Sequence, residues 1–159
     1  MSLKEVRARI EREVFRRGTP RALGVKLGRL TRKRVTGEMC IGSRHMNRSG
    51  RVNGGAIMAF ADVLGAMGTV VNLPPGHHTT TLESKTNFFA AGEPPLLKAV
   101  SVPLHIGRTT MVWQTTISNP DGRKVAIVTQ TQIVIPSGKN ASSGSAQSAP
   151  AKSKNRRKQ

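Results

Sequence analysis

The chain of 159 residues carries 26 Lys and Arg against 8 Asp and Glu, a formal charge of +18, with 36% apolar residues and one Cys. That length suits one domain; a single Cys excludes an internal disulfide framework and a Cys-rich zinc site, and no apolar run reaches the ~18 residues of a membrane-spanning helix. Four scattered His predict no metal site, and the first residues lack the apolar stretch of a secretory leader, so a cytoplasmic setting is expected.

The charge is unevenly spread. Residues 1–29 hold nine basic and three acidic residues, residues 30–136 eleven and five, and residues 137–159 six and none. Each stretch therefore carries +6, and the density is highest at the two ends. Such a balance favours anionic partners: nucleic acid, acidic membrane or phosphorylated small molecules. Three segments are expected: a basic amphipathic helix and linker (1–29), a folded domain (30–136), and a disordered basic tail (137–159).

In the first segment, Leu3, Val6, Ile10 and Val14 recur at helical steps, and Gly18, Thr19 and Pro20 are expected to end the helix. Its stripe either lies on a membrane or, as is commoner, packs on a domain or partner subunit. From Thr31 to Met46 one or two strands are expected, then a loop to Val52. Asn53-Gly54-Gly55 opens an apolar run that ends at Asn72, too long for a strand and rich in Ala and Met. It predicts a helix that is apolar on every side and enclosed by the fold. Period-two patterns then predict strands over Thr79–Ala91, Leu96–Ile106, Thr109–Ser118 and Val125–Ile135. In the third of these, Met111, Trp113, Thr115 and Ile117 share a face. Short links make the sheet antiparallel. The fold class is α+β, one antiparallel sheet wrapped around one central apolar helix. One sheet covers one side of that helix, so a dimer or tetramer is expected to close the other. The tail has no Leu, Ile, Val or aromatic residue and cannot offset its ordering entropy by burial.

Between Asn53 and Gly76 the one ionisable residue is Asp62. A carboxylate in an enclosed apolar helix needs hydrogen bonds or a partner. It is a candidate general base, or a group satisfied at an interface. Gly54 and Gly55 lie where backbone N–H groups lack helical partners and the helix dipole is positive, a place to stabilise an oxyanion. Asp62 is eight residues beyond Gly54, about 12 Å along the axis at ~1.5 Å per residue. One site using both needs a facing chain.

N-x-x-G-x-x-N-G-G from Asn47 to Gly55, followed by Ala61-Asp62, resembles the hotdog-fold thioesterases, above all the phenylacetate-degradation branch of the 4-hydroxybenzoyl-CoA thioesterase superfamily. That branch shows N-x-x-G-x-x-H-G-G with an Asp nine residues after the His. Asp62 stands nine after Asn53. Thr80 to Ala90 resembles the family's T-x-x-x-x-x-N-F strand, Ile106-Gly107-Arg108 its G-R, and Asp121 to Ala126 its D-G-x-x-V-A, all in order from Leu30 to Ile135. The resemblance implies the hotdog fold, a homodimer or homotetramer with its site at the dimer interface, and hydrolysis of acyl-CoA with neither metal nor redox cofactor. It implies Asp62 as base or nucleophile, Asn47 holding the water or the carbonyl, Gly54 and Gly55 as oxyanion donors, and Thr81 from the other subunit assisting the water. Arg108 would meet the CoA phosphates.

Asn53 departs from the family's His. Asn can cap a helix and donate a hydrogen bond, but it cannot take a proton. A non-catalytic acyl-CoA-binding or regulatory protein is therefore the alternative. His78, after Pro74-Pro75-Gly76, is a candidate for the substrate mouth. Met58, Phe60, Met67, Phe88 and Phe89 are candidates for an acyl pocket, and Glu83 is a further carboxylate that period two places beside Thr81. The basic tails are candidates for contact with nucleic acid, although one Trp, four Phe and no Tyr supply few stacking groups.

Overall fold

The computed structural model describes residues 2–138. The expected basic tail, from residue 139 on, lies outside the described residues. Two short helices come first: α1 (Leu3–Ile10) and, after a wider π-type turn over Glu11–Phe15, α2 (Gly18–Ala22). Gly18 does end the first helical run, through a φ of +56°. The chain then re-enters a helix rather than a linker, because Pro20 falls in its first turn, where no N–H is required.

The amphipathic stripe packs on the domain. Ile10 is buried in the core, with Val6, Val14 and Phe15 against it. Arg7 Nη1 donates to Gly28 O at 2.7 Å. Most of the apolar stripe is used within this chain, while Leu3 at its start is exposed.

The sheet comprises β1 (Val25–Thr31), β2 (Arg34–Cys40), β3 (His77–Phe88), β4 (Leu96–Ile106), β5 (Thr110–Ser118) and β6 (Lys124–Pro136). Its spatial order is β1-β2-β4-β5-β6-β3, and every neighbouring pair is antiparallel. β1 starts at Val25, so the sheet draws on the stretch read as N-terminal helix and linker. The long helix α3 (Gly54–Val70) lies across one face. Met111, Trp113, Thr115 and Ile117 all point to it and are buried, as period two requires. Phe60, Leu64 and Trp113 are wholly buried, each contributing about 1.5–3 kcal/mol as apolar surface leaves water.

Two glycines bring α3 close to the sheet. A Cβ on Gly65 would stand 2.5 Å from Gln130 Cδ, and one on Gly68 would stand 2.7 Å from the Trp113 ring. The opposite side of α3 is less covered. Gly55 and Met58 are exposed, and Ala59, Asp62, Ala66 and Val70 half-buried, at three- and four-residue steps. The sheet thus encloses one face of the helix, not all of it. The open stripe contains Asp62.

Candidate active site

Asp62 sits where α3 faces the edge strand β3. Its Oδ1 accepts from Thr81 Oγ1 at 2.8 Å and from Gln130 Nε2 at 3.2 Å. The same Nε2 lies 3.3 Å from the Asp62 main-chain oxygen. Thr81 Oγ1 accepts in turn from Gln132 Nε2 at 2.8 Å. Thr79 Oγ1 stands 3.1 Å from Gln132 Oε1. A carboxylate on an apolar helix is thus tied by neutral donors rather than by an ion pair. Two donors on Oδ1 leave Oδ2 without a hydrogen bond among the described residues.

The Thr81 that meets Asp62 belongs to the same chain, not to another subunit as the resemblance implied. β3 pairs with β6 beside α3, so its inward side chains reach the helix directly. The register of that pairing shifts between Thr81 and Glu83. Leu82 is the extra residue, pushed outward and 58% exposed. The bulge reverses the alternation. Thr79 and Thr81 face inward before it, Ser84 and Thr86 after it, while Glu83 and Lys85 face out. Glu83 therefore does not share the face of Thr81, and strict period two fails here.

At its start, α3 is capped by Asn53. Asn53 Oδ1 accepts from Gly55 N at 2.7 Å, and Asn53 O accepts from Ala56 N and Ile57 N at 3.1 and 3.2 Å. The Gly55 amide is thereby taken by the cap. Gly54 N–H is left as the first-turn donor with no acceptor among the described residues. Phe88 lies over it: a Cβ on Gly54 would meet Phe88 Cζ at 3.1 Å.

Asn47 stands in the preceding loop, exposed. Its Oδ1 accepts from Ser49 N and Arg51 N at 2.9 and 3.1 Å, shaping the loop, while Nδ2 makes no hydrogen bond among the described residues. Arg51 and Arg123 flank Glu93 at 3.8 and 2.6 Å, a surface ion cluster. The loop is anchored by His45, which is buried and satisfied: Gly42 N donates to Nδ1 and Nε2 donates to Leu23 O, each at 2.9 Å. His45 O accepts from Asn53 N at 2.7 Å, joining the loop to the helix cap.

His78 and Arg108 lie elsewhere. His78 is exposed on the outer face of β3, with Nδ1 3.5 Å from Ser137 Oγ. Phe88 is at the other end of that strand, about 33 Å away at ~3.3 Å per residue. Arg108 is exposed in the β4–β5 turn, at the His78 end of the sheet. One chain brings Asp62 and Thr81 together, and Asn53, Gly54 and Phe88 together. It brings neither His78 nor Arg108 to them. Phe60 and Met67 are core residues, whereas Met58, Phe88 and Phe89 are exposed and free to shape a pocket. Gln130 and Gln132 were missed by the sequence reading. Their signal is two amides at alternate positions of an apolar strand, which places both on its buried face.

The family model of the thioesterase superfamily matches residues 49–126, a span that contains Gly54, Asp62 and all of β3. ComA2 of Bacillus subtilis, named as a candidate esterase, is 32% identical over 118 residues, covering 72% of this chain and 91% of that protein. The chain belongs to the thioesterase superfamily. A mutant thioesterase from Pseudomonas aeruginosa superposes with a TM-score of 0.73 at 26% identity, over 86% of this chain and 95% of that one. A hypothetical thioesterase protein of Streptococcus pneumoniae TIGR4, solved with coenzyme A, superposes with a TM-score of 0.65 at 25% identity, over 70% and 86%. This member is a thioester hydrolase with the hotdog fold. Among the described residues, no helix is long and apolar enough to cross a membrane.

Proposed function

We propose that the chain hydrolyses an acyl-CoA thioester to the free acid and CoA, with Asp62 as general base or nucleophile. The observation that carries this is the pairing of a carboxylate fixed at Oδ1 by Thr81 and Gln130 with a helix-start amide, Gly54 N–H, that has no acceptor of its own. In the general-base route, Asp62 takes a proton from water as its oxygen attacks the thioester carbonyl carbon. The carbonyl oxygen becomes an oxyanion and is stabilised by Gly54 N–H and the helix dipole. The carbonyl re-forms as the C–S bond breaks, and the leaving CoA sulfur receives the proton from Asp62. Asn47 Nδ2 donates to the carbonyl or the water, and Asn53 keeps the helix start in shape.

About 12 Å of helix separates Gly54 from Asp62 at ~1.5 Å per residue, so Asp62 and Thr81 of one chain work with Gly54 and Asn47 of a second. This supports a homodimer or homotetramer. The uncovered stripe of α3 and the free edge of β3 offer surfaces for it. Phe88 borders the acyl group, and Arg108 and His78 meet the phosphates of CoA. The net charge of +18 and the likeness to a protein solved with coenzyme A support that substrate class. A cytoplasmic setting suits a CoA ester. The test is thiol release from short, medium, branched and aromatic acyl-CoAs, with the matching N-acetylcysteamine thioesters as truncated substrates. A CoA esterase prefers the full esters. Equal rates on both sets would overturn the assignment to CoA.

A further inference from the structure

Gln130 is wholly buried in the middle of β6. It occupies one rung of the sheet's inner face, paired with Ser84 on β3 and with Trp113 on β5. Its Nε2 donates to Asp62. Its Oε1 is buried without a partner, and so are the two neighbouring donors, Trp113 Nε1 and Ser84 Oγ. Gly65 lets the helix backbone lie flat on the amide.

We infer that Gln130 is a positioning residue for Asp62, its amide oriented by the main-chain and carboxylate oxygens that its Nε2 meets. The polarity of the surroundings decides the orientation. In the arrangement present, Nε2 meets a carboxylate and a carbonyl oxygen, while Oε1 is buried without a hydrogen-bond partner. Rotating the amide by half a turn would set Oε1 against two oxygens and leave Nε2 without an acceptor. Burial makes that exchange costly, because an unpaired polar group is expensive where the local dielectric is low. The amide therefore presents a permanent donor to Oδ1, together with Thr81. Asp62 is thereby held at Oδ1, and Oδ2 is left without a hydrogen bond among the described residues. All of this deepens the proposed role of Asp62 and rests on it.

A donor on Oδ1 favours the orientation that the Asp62 carboxylate has here. Few other charges compete among the described residues. Asp62 is the one ionisable group of α3, and β5 has none. On β3, His77 lies inward but ~13 Å along the strand from Thr81 at ~3.3 Å per residue, and Glu83 and Lys85 face out. The charged groups of β1, β2, β4 and β6 are exposed, as is Arg21 of α2, whose guanidinium bonds Arg16 O.

The test is kcat and KM for thiol release, determined separately for wild type, Gln130→Met and Gln130→Glu, with Asp62→Asn measured in parallel. Met matches Gln in length and keeps the site filled. Gln130→Glu sets a second carboxylate against Asp62 Oδ1 in place of the donor, so its loss is the larger of the two. kcat falls about 10-fold in Gln130→Met, with KM unchanged, because Gln130 is away from substrate. An unchanged kcat in both Gln130 variants, whatever their stability, overturns the inference and leaves the role of Asp62 standing. Full activity in Asp62→Asn overturns that role instead.

Discussion

An alanine at Gly65 adds a methyl group where there is no room. Its Cβ would stand 2.5 Å from Gln130 Cδ and 2.7 Å from both Nε2 and Oε1, against about 3.5–4.0 Å for atoms in ordinary contact. The amide must retreat by about 1 Å. Nε2 now lies 3.2 Å from Asp62 Oδ1 and 3.3 Å from Asp62 O, so such a retreat breaks both hydrogen bonds. Two effects oppose each other. Ala gains about 1 kcal/mol over Gly in a helix interior. Overpacking costs about 1–3 kcal/mol, and losing a hydrogen bond to a charged group about 1.5–3 kcal/mol. The steric and polar losses win, and the variant is destabilised by about 3 kcal/mol. Urea unfolding reads this as a lower midpoint at unchanged slope, and thiol release from an acyl-CoA reads the displaced Asp62 as a lower kcat. Gly42→Ala is the control: a Cβ there meets nothing within 4 Å and φ is −141°, so its stability stays within about 0.5 kcal/mol of wild type. A Gly65→Ala protein as stable and as active as wild type would refute the close approach of α3 to Gln130.

Asn53→Ala removes the acceptor of Gly55 N–H and costs about 1 kcal/mol in urea unfolding, whereas Asn53→Asp keeps an acceptor and costs a few tenths; equal losses would show that the cap does not hold the helix start. His45→Ala leaves Gly42 N–H and Leu23 O without partners and costs about 2 kcal/mol, and it lowers turnover because His45 O anchors Asn53; unchanged thermal unfolding would contradict the anchoring. Glu5 has its carboxyl held below its usual value by the main-chain N–H of Ser2 first and the Ser2 side chain second. Its folded value is the lower one, so the contact supports α1 above the ordinary carboxylate range and is lost as pH falls through the folded value. A proton-linked chemical-shift titration of Glu5 with a midpoint at or above that of an unstructured Glu would contradict it.

The helix and the strand pattern were legible because both are written in local periodicity. The apolar run from Gly54 ends within a residue or two of Val70, and Met111, Trp113, Thr115 and Ile117 face the core as alternation requires. Asp62 was legible as a lone charge in that run. The environment of Asp62 was not, because it depends on pairing. The bulge at Leu82 follows from the match of β3 to β6, and no property of β3 alone reveals it. It turned Glu83 outward and delivered Thr81 from the same chain. The fate of the two helix-start amides was likewise hidden: Asn53 signals a cap, but the geometry decides that Gly55 is taken and Gly54 left. Gln130 and Gln132 carried a signal, polar side chains at inward positions of an apolar strand, which is a request for a buried partner.

The central claim is that Asp62 performs the hydrolysis. Asp62→Asn is the most direct probe, because Asn keeps an acceptor for Thr81 and the shape of the site but cannot take a proton or attack as a carboxylate. Pre-steady-state and steady-state thiol release from the preferred acyl-CoA, beside calorimetric binding of the same ester, separates chemistry from affinity. The account predicts a fall in kcat of at least about 100-fold, the usual worth of a positioned base, with unfolding midpoint and ester affinity close to wild type. Turnover within a few-fold of wild type in a folded Asp62→Asn protein would contradict it.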